Sequence, residues 1–307
     1  MNITIWLVIA LVCFVLPSIA LTNGGGKTPE GSALARYAKS AGLPLTEAVV
    51  GPVVERIRRR ERGMLIGGLI AIVLGALASM IFDGAETWGA LVVMLAGAGT
   101  AFGGALAMAG HRPEPTSDRP VVARSRSTQL ADYLTAGERF GFWSAPVVLL
   151  VAAAPGTVLL LQVPAEFRGA SILFGLLGTG LALVTWGGAL LALRRVLAAP
   201  ARSGSDLELA WDDAERALGL RQVANLVVAV ACFALGLWLV LMAQSLTSGG
   251  FYRQPGAMPL TYILSIVSLG VFGVLIAVTA LGPVRSWASG ERKGYEQRRL
   301  WPNGVRL

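Results

Sequence analysis

Long uncharged apolar runs alternate with basic stretches along the whole chain. The runs are Ile3–Leu21, Met64–Phe82, Trp88–Gly110, Ser144–Val163, Ala170–Leu193, Gln222–Gln244 and Pro259–Leu281. A helix rising about 1.5 Å per residue needs about 20 apolar residues to cross a hydrocarbon core, and each run meets that length. Backbone polar groups in lipid must be satisfied within the segment, so each run predicts a helix. The pattern predicts an all-α, polytopic transmembrane bundle, a single membrane domain of seven spans. None of the runs contains Asp, Glu, Lys, Arg or His. Ionisable groups inside a bilayer mark proton relays and ion paths, so their absence argues against a proton-coupled pump. It also argues against a retinal protein, whose Schiff base needs an intramembrane lysine.

The basic stretches orient the spans. Of the 26 Lys and Arg residues, all but Arg168 and Arg253 fall in the segments 22–63, 111–143, 194–221 and 282–307. Basic residues resist translocation, which makes these four segments cytoplasmic, with the N-terminus outside and the C-terminus inside. Ile3–Leu21 has two readings. Ser18-Ile-Ala20 has the small-x-small form of a signal cleavage site, which would leave six spans. Met1-Asn2 brings no basic residue, whereas Lys27 and an arginine knot follow the run, and that polarity favours an uncleaved first span. The other spans keep their orientation under either reading.

The knot is Arg56, Arg58, Arg59, Arg60 and Arg62, directly before Gly63 and the second span. Val53, Val54 and Ile57 share a helical face there, and Glu55 and Arg59 stand at i, i+4. This predicts a short amphipathic helix at the headgroup level before the chain turns into the bilayer. The five arginines are expected to anchor the topology and to touch anionic headgroups, each worth about 1 kcal/mol near the surface.

The other inside segments carry local signals. Ser32–Ala41 predicts a short helix, and Pro44 and Pro52 predict a break over Gly42–Pro52. Ser127–Phe140 reads as a helix with Ser127 as N-cap. Ser205-Asp-Leu-Glu208 has the form of a capping box. It opens an amphipathic helix with Leu207, Trp211, Ala214 and Leu218 on one face, expected to end at Gly219. Glu61-Arg62, Glu138-Arg139 and Glu215-Arg216 each precede a pair of spans, an architectural rhyme. Pro155-Gly156 predicts a kink in the fourth span.

Small residues recur every four positions on three spans. Gly63, Gly67, Ala71 and Gly75 form one stripe, Gly99, Gly103 and Ala107 a second, and Ser171, Gly175 and Thr179 a third. Such stripes let helix backbones approach closely. Packing within one bundle is the expected use, with docking to another membrane protein or to a second copy as the other.

Composition narrows the class further. The 307 residues are 54% hydrophobic and 14% charged, with a mean hydropathy of +0.64, against about 25% charged residues in soluble domains. The net charge of +8 does not point to nucleic acid, because the basic residues sit between spans without a recognition motif. Cys13 and Cys232 lie inside apolar runs and predict no disulfide framework. His111 is the only histidine and cannot alone form a triad or a histidine metal site. Asp206, Glu208, Asp212, Asp213 and Glu215 make an acidic stretch without companion ligands at calcium or zinc spacing. A solvated face, or one paired with arginines, is expected. No phosphate-binding loop, nucleophile elbow or metalloprotease motif occurs, so no catalytic, metal or cofactor residue is assigned.

Gly42-Leu-Pro-Leu-Thr46 with the Glu55–Arg62 run, and Leu209-Ala-Trp-Asp-Asp-Ala-Glu-Arg216, resemble inside segments of multi-pass membrane proteins of high-GC actinobacteria. The resemblance implies a bacterial cytoplasmic (inner) membrane location and brings no activity. The expected function is that of a non-enzymatic accessory or interaction subunit of a membrane complex. The alternative is a transporter or channel for a neutral or lipid-like solute, with Pro155-Gly156 as its local sign.

Overall fold

The computed structural model describes residue 38, residues 41–81, residues 95–107 except 101 and 105, and residues 128–161, 165–198, 205–248, 257–280, 295–302 and 304. Every regular element among them is helical: α1 (Glu47–Ile81), α2 (Leu130–Tyr133), α3 (Ala136–Leu160), α4 (Ala165–Ala198), α5 (Asp206–Ser248), α6 (Ala257–Ala280) and α7 (Tyr295–Leu300). Residues 95–107 are helical at each described position. Three helices, Ala136–Leu160, Ser171–Ala198 and Asp206–Ala243, are long and apolar enough to cross a membrane, and Met258–Ser268 is a shorter apolar helix. They point to a membrane location. The second expected span falls on α1 and the seventh on α6. The first span, the Asp83–Thr87 turn, Trp88 and His111 lie outside the described residues.

Several expected boundaries give way to longer helices. No turn separates the arginine knot from the apolar run: α1 is one helix of 35 residues passing through Gly63. Pro52 lies inside it, near its start and exposed, where a missing amide donor is tolerated best. The expected break is confined to Gly42–Thr46. Gly42 adopts a left-handed conformation (φ 67°), and the Leu43 amide bonds Ala38 O at 3.2 Å, closing the preceding helix in a Schellman-type turn. Thr46 O then accepts from the Val49 and Val50 amides at the start of α1.

α5 likewise does not stop at Gly219. It runs 43 residues, about 64 Å at about 1.5 Å per residue, twice the thickness of a hydrocarbon core. Gly219 is buried between Ala217 and Leu220, which are buried as well, and this packing outweighs the glycine's weak helix propensity. Ser205 caps the helix as its spacing predicts, its Oγ accepting from the Glu208 amide at 3.2 Å. Arg194 and Arg195 do not end α4 either; both are exposed within its final turns.

The Ser127–Phe140 helix is divided. α2 ends before Leu134, and α3 starts behind Thr135. Thr135 and Glu138 form a reciprocal box: the Thr135 amide donates to Glu138 Oε2 at 2.9 Å, and the Glu138 amide to Thr135 Oγ1 at 3.4 Å. Ser127 lies outside the described residues.

The chain divides into two compact units, one of Met1–Glu138, Ala189–Val223 and Ser286–Leu307, the other of Arg139–Gly188 and Ala224–Arg285. The second unit is built from parts of α3, α4 and α5 with α6. Trp238 at its centre is 0% exposed, packed with Ala153, Leu160, Leu239 and Met242. Its indole N–H donates to Thr179 Oγ1 at 2.8 Å, and Thr179 Oγ1 donates to Gly175 O at 2.9 Å. A Cβ on Gly175 would lie 2.7 Å from the Trp238 ring, and one on Gly156 would lie 2.8 Å from its Cζ3. Gly175 and Thr179 of the third stripe thus seat a tryptophan. α3 continues through Pro155 and Gly156, where the missing side chain admits the ring.

The outer faces of this unit are apolar. Val147, Val151 and Val158 of α3, Leu176 and Val184 of α4, and Ile263 and Ile266 of α6 are all exposed. Apolar surface on this scale fits a lipid environment and not water. Near the start of α3, Phe142, Trp143 and Trp186 form a cluster with centroids 5.2–6.3 Å apart, Trp143 standing edge-on to the other two. Trp186 also donates to Phe142 O at 3.2 Å. Such amphipathic rings favour the depth of a bilayer interface.

Candidate functional site

The first unit holds two constructions. One is the meeting of two glycine stripes. A Cβ on Gly67 would lie 2.9 Å from Gly103 Cα, and its nearest neighbour would be Gly99 O; one on Gly63 would lie 2.5 Å from Ala107 Cβ. A Cβ on Gly99 would lie 2.5 Å from Ala71 Cβ. Gly63, Gly67 and Ala71 of α1 therefore face Ala107, Gly103 and Gly99 in antiparallel order. Gly75 is buried on the same side of α1. Backbone meets backbone here, which only hydrogen in place of a side chain permits.

The other construction is a buried polar core drawn from all four segments that charge assigns to the inside. It starts from an apolar base. Val49 and Val53 of α1 pack with Leu207, Ala210, Trp211 and Ala214 of α5, together with Ala38, Ala41 and Leu43. Leu207, Trp211 and Ala214 are the face the heptad-like spacing predicts, while Leu218 is half-buried. Val53 and Ile57 of the arginine helix pack against α5. An apolar protein face was available to cover them.

Polar groups close over that base. The Trp211 indole donates to Pro44 O at 3.2 Å. Asp213, 1% exposed, accepts from the Tyr133 hydroxyl on Oδ1 and from the Trp301 indole on Oδ2, both at 3.1 Å. Burial first, then the Asp213 charge, pushes the Tyr133 hydroxyl well above the usual tyrosine range, so it remains a donor. Arg221 Nη2 pairs with Glu296 Oε2 at 2.8 Å, and its Nε lies 3.9 Å from Glu138 Oε2. α7 straps across this edge. Its Tyr295 hydroxyl donates to Ala131 O at 3.0 Å, Gln297 Nε2 donates to Ala41 O, and Arg299 Nε lies 3.6 Å from Asp132.

Arg56 reaches into the same core. Its Nη1 lies 3.8 Å from Asp212 Oδ1 and 3.6 Å from Glu215 Oε2, while Arg216 Nε holds Asp212 Oδ2 at 2.8 Å. The acidic stretch is therefore paired and not a solvated face. Its three inner carboxylates diverge: Asp212 to the two arginines, Asp213 to Tyr133 and Trp301, Glu215 to Arg56. Among the described residues no three His, Cys, Asp or Glu side chains gather as a metal site. Burial, opposed by Arg56, pushes the Glu215 carboxyl up to about 8.

The five arginines expected at the headgroups are thus divided. Arg58 and Arg62 are exposed, Arg59 and Arg60 are half-buried, and Arg56 belongs to the ionic core. In the Glu-Arg rhyme, Glu138 and Glu215 are both buried and face arginines of other residues in the core, Arg221 and Arg56. Sequence reasoning passed over Tyr133, Arg221, Glu296 and Trp301. The available signal was that a Tyr or Trp in a polar segment needs a partner for its O–H or N–H when buried.

The arrangement binds four chain segments to each other through buried and half-buried charges. A buried ion loses more when its partner is removed than an exposed pair ever contributes. The core is thus rigid in composition and intolerant of single losses. No protein-family model, curated protein or solved structure matches the chain.

Proposed function

We propose that the chain is a non-enzymatic accessory or interaction subunit of a membrane complex in the bacterial cytoplasmic membrane. In this reading it has seven spans, or six if Ile3–Leu21 is removed, with the N-terminus outside and the C-terminus inside. The observation that carries the reading is the ion-paired core, in which residues of the four basic segments bond each other. Its inner carboxylates are spent on arginines, a tyrosine and a tryptophan of the same core. The core's exposed rim, with Arg58 and Arg62, is left for anionic headgroups and for a protein partner.

The solute-carrier alternative loses its local sign, because the space beside Gly156 is filled by the Trp238 ring. The test is purification of a C-terminally tagged chain from native membranes in mild detergent, with mass spectrometry of what accompanies it. A stoichiometric membrane protein supports the reading. A bare monomer, or solute flux in liposomes holding only this chain, overturns it.

A further inference from the structure

Glu215 is one of the buried carboxylates of the core. It is 8% exposed, and its Oε1 has no hydrogen-bond partner among the described residues. Its Oε2 has Arg56 at 3.6 Å, too far for a good hydrogen bond. The same guanidinium lies 3.8 Å from Asp212, which Arg216 already holds at 2.8 Å. The charged groups facing Glu215 are Arg56 and Arg60 from α1 and Asp212 from its own helix. Arg56 is therefore shared between two carboxyls, and an anionic Glu215 would leave its Oε1 buried without a donor. A buried carboxyl in that position favours its neutral form.

We propose that Glu215 is a proton-operated latch on the seam between α1 and α5, closed when the carboxyl is protonated and loosened when it ionises. In the closed form Arg56 serves Asp212, and the seam over Val53 and Trp211 stays dry. Loss of the proton places a second anion beside Asp212, pulls Arg56 toward Glu215 and draws water to Oε1. Burial raises the carboxyl to about 8 from an ordinary 4.5, so the change falls near neutral pH. The sign follows from proton linkage. The folded state holds the proton more tightly than the unfolded chain, so the stabilisation is complete below about pH 4.5. It is lost as pH rises to about 8 and changes no further above that. The latch does not depend on the accessory-subunit reading.

The test uses the full chain in mild detergent. Infrared spectra should contain a protonated-carboxyl band at about pH 6 that fades by about pH 9 and is missing in Glu215→Gln. Hydrogen exchange, corrected for its intrinsic pH dependence, should quicken over the same range around Val53–Ile57 and Trp211–Arg216, and should stay flat in Glu215→Gln. Gln copies the neutral form, so that variant must fold; a failure to fold overturns the latch. Arg56→Met removes the charge that favours ionisation, and the band should then persist to higher pH. An unchanged band in Glu215→Gln, or seam exchange that ignores pH in the native chain, also overturns it.

Discussion

Asp213 shows how much one side chain holds in this protein. It is buried and receives two donors, a tyrosine hydroxyl and a tryptophan indole, from segments 80 and 88 residues away in sequence. Asp213→Ala would strand both donors, and each unpartnered buried polar group costs about 1–3 kcal/mol. The expected loss is roughly 2–5 kcal/mol, read as a fall in the unfolding midpoint in detergent. Trp301→Phe removes one donor and leaves the carboxylate its tyrosine, so its loss should be smaller, about 1 kcal/mol. Equal losses from the two would mean that Asp213 acts only through Trp301. The Asp213 environment was not legible in the sequence. An acidic residue on an amphipathic helix reads as solvated by default, and its partners lie too far along the chain for any local pattern to reveal.

At the scale of the element, glycines separate what sequence can and cannot read. A small residue every four positions defines one face of one helix, so Gly63, Gly67 and Ala71 on α1, and Gly99 and Gly103 opposite, could be picked out in advance. Which stripe meets which depends on the turn between them and had to come from coordinates. Helix ends were harder. Gly219 looks like a stop signal, yet α5 continues through it, because buried neighbours on either side outweigh a propensity cost of about 1 kcal/mol. The stripes make a sharp prediction. Gly67→Leu would drive a Cβ into the backbone of Gly99 and Gly103, where no side chain can swing aside, so the two helices must separate, costing at least about 1–3 kcal/mol. Gly180→Ala on α4 meets nothing within 4 Å and should be neutral or stabilising by up to about 1 kcal/mol, as alanine favours a helix. Thermal unfolding of the two variants side by side measures the difference. Comparable losses would place Gly67 outside any close interface.

For the whole molecule, the ionic core bears on topology without reference to loop charge. Segments whose polar side chains bond each other in water lie on one side of a bilayer, so the chain between them crosses it an even number of times. Arg56 bonds residues of α5, Tyr133 and Trp301 both bond Asp213, and Arg221 bonds Glu296. Between these groups lie, in turn, α1 with residues 95–107, α3 with α4, and α5 with α6; among the described residues α3, α4 and α5 hold the helices long and apolar enough to cross a membrane. An even number of crossings between bonded segments is also what the charge bias predicts, with only Arg168 and Arg253 outside the four basic segments. The need of a buried ion for its partner bears on which segments share a side, and the cost of moving arginine across lipid bears on which side that is. A reporter that works only in the cytoplasm should be active after Leu307 and silent when placed at Arg253. A protein thiol-labelled from outside should react at a cysteine substituted for Arg253 and remain unlabelled at one substituted for Arg299. Activity at both reporter positions would break the pairing of α5 with α6. Silence at Leu307 alone would invert the whole map and leave the core on the outer face, where the same bonds would hold but the latch at Glu215 would answer to external pH.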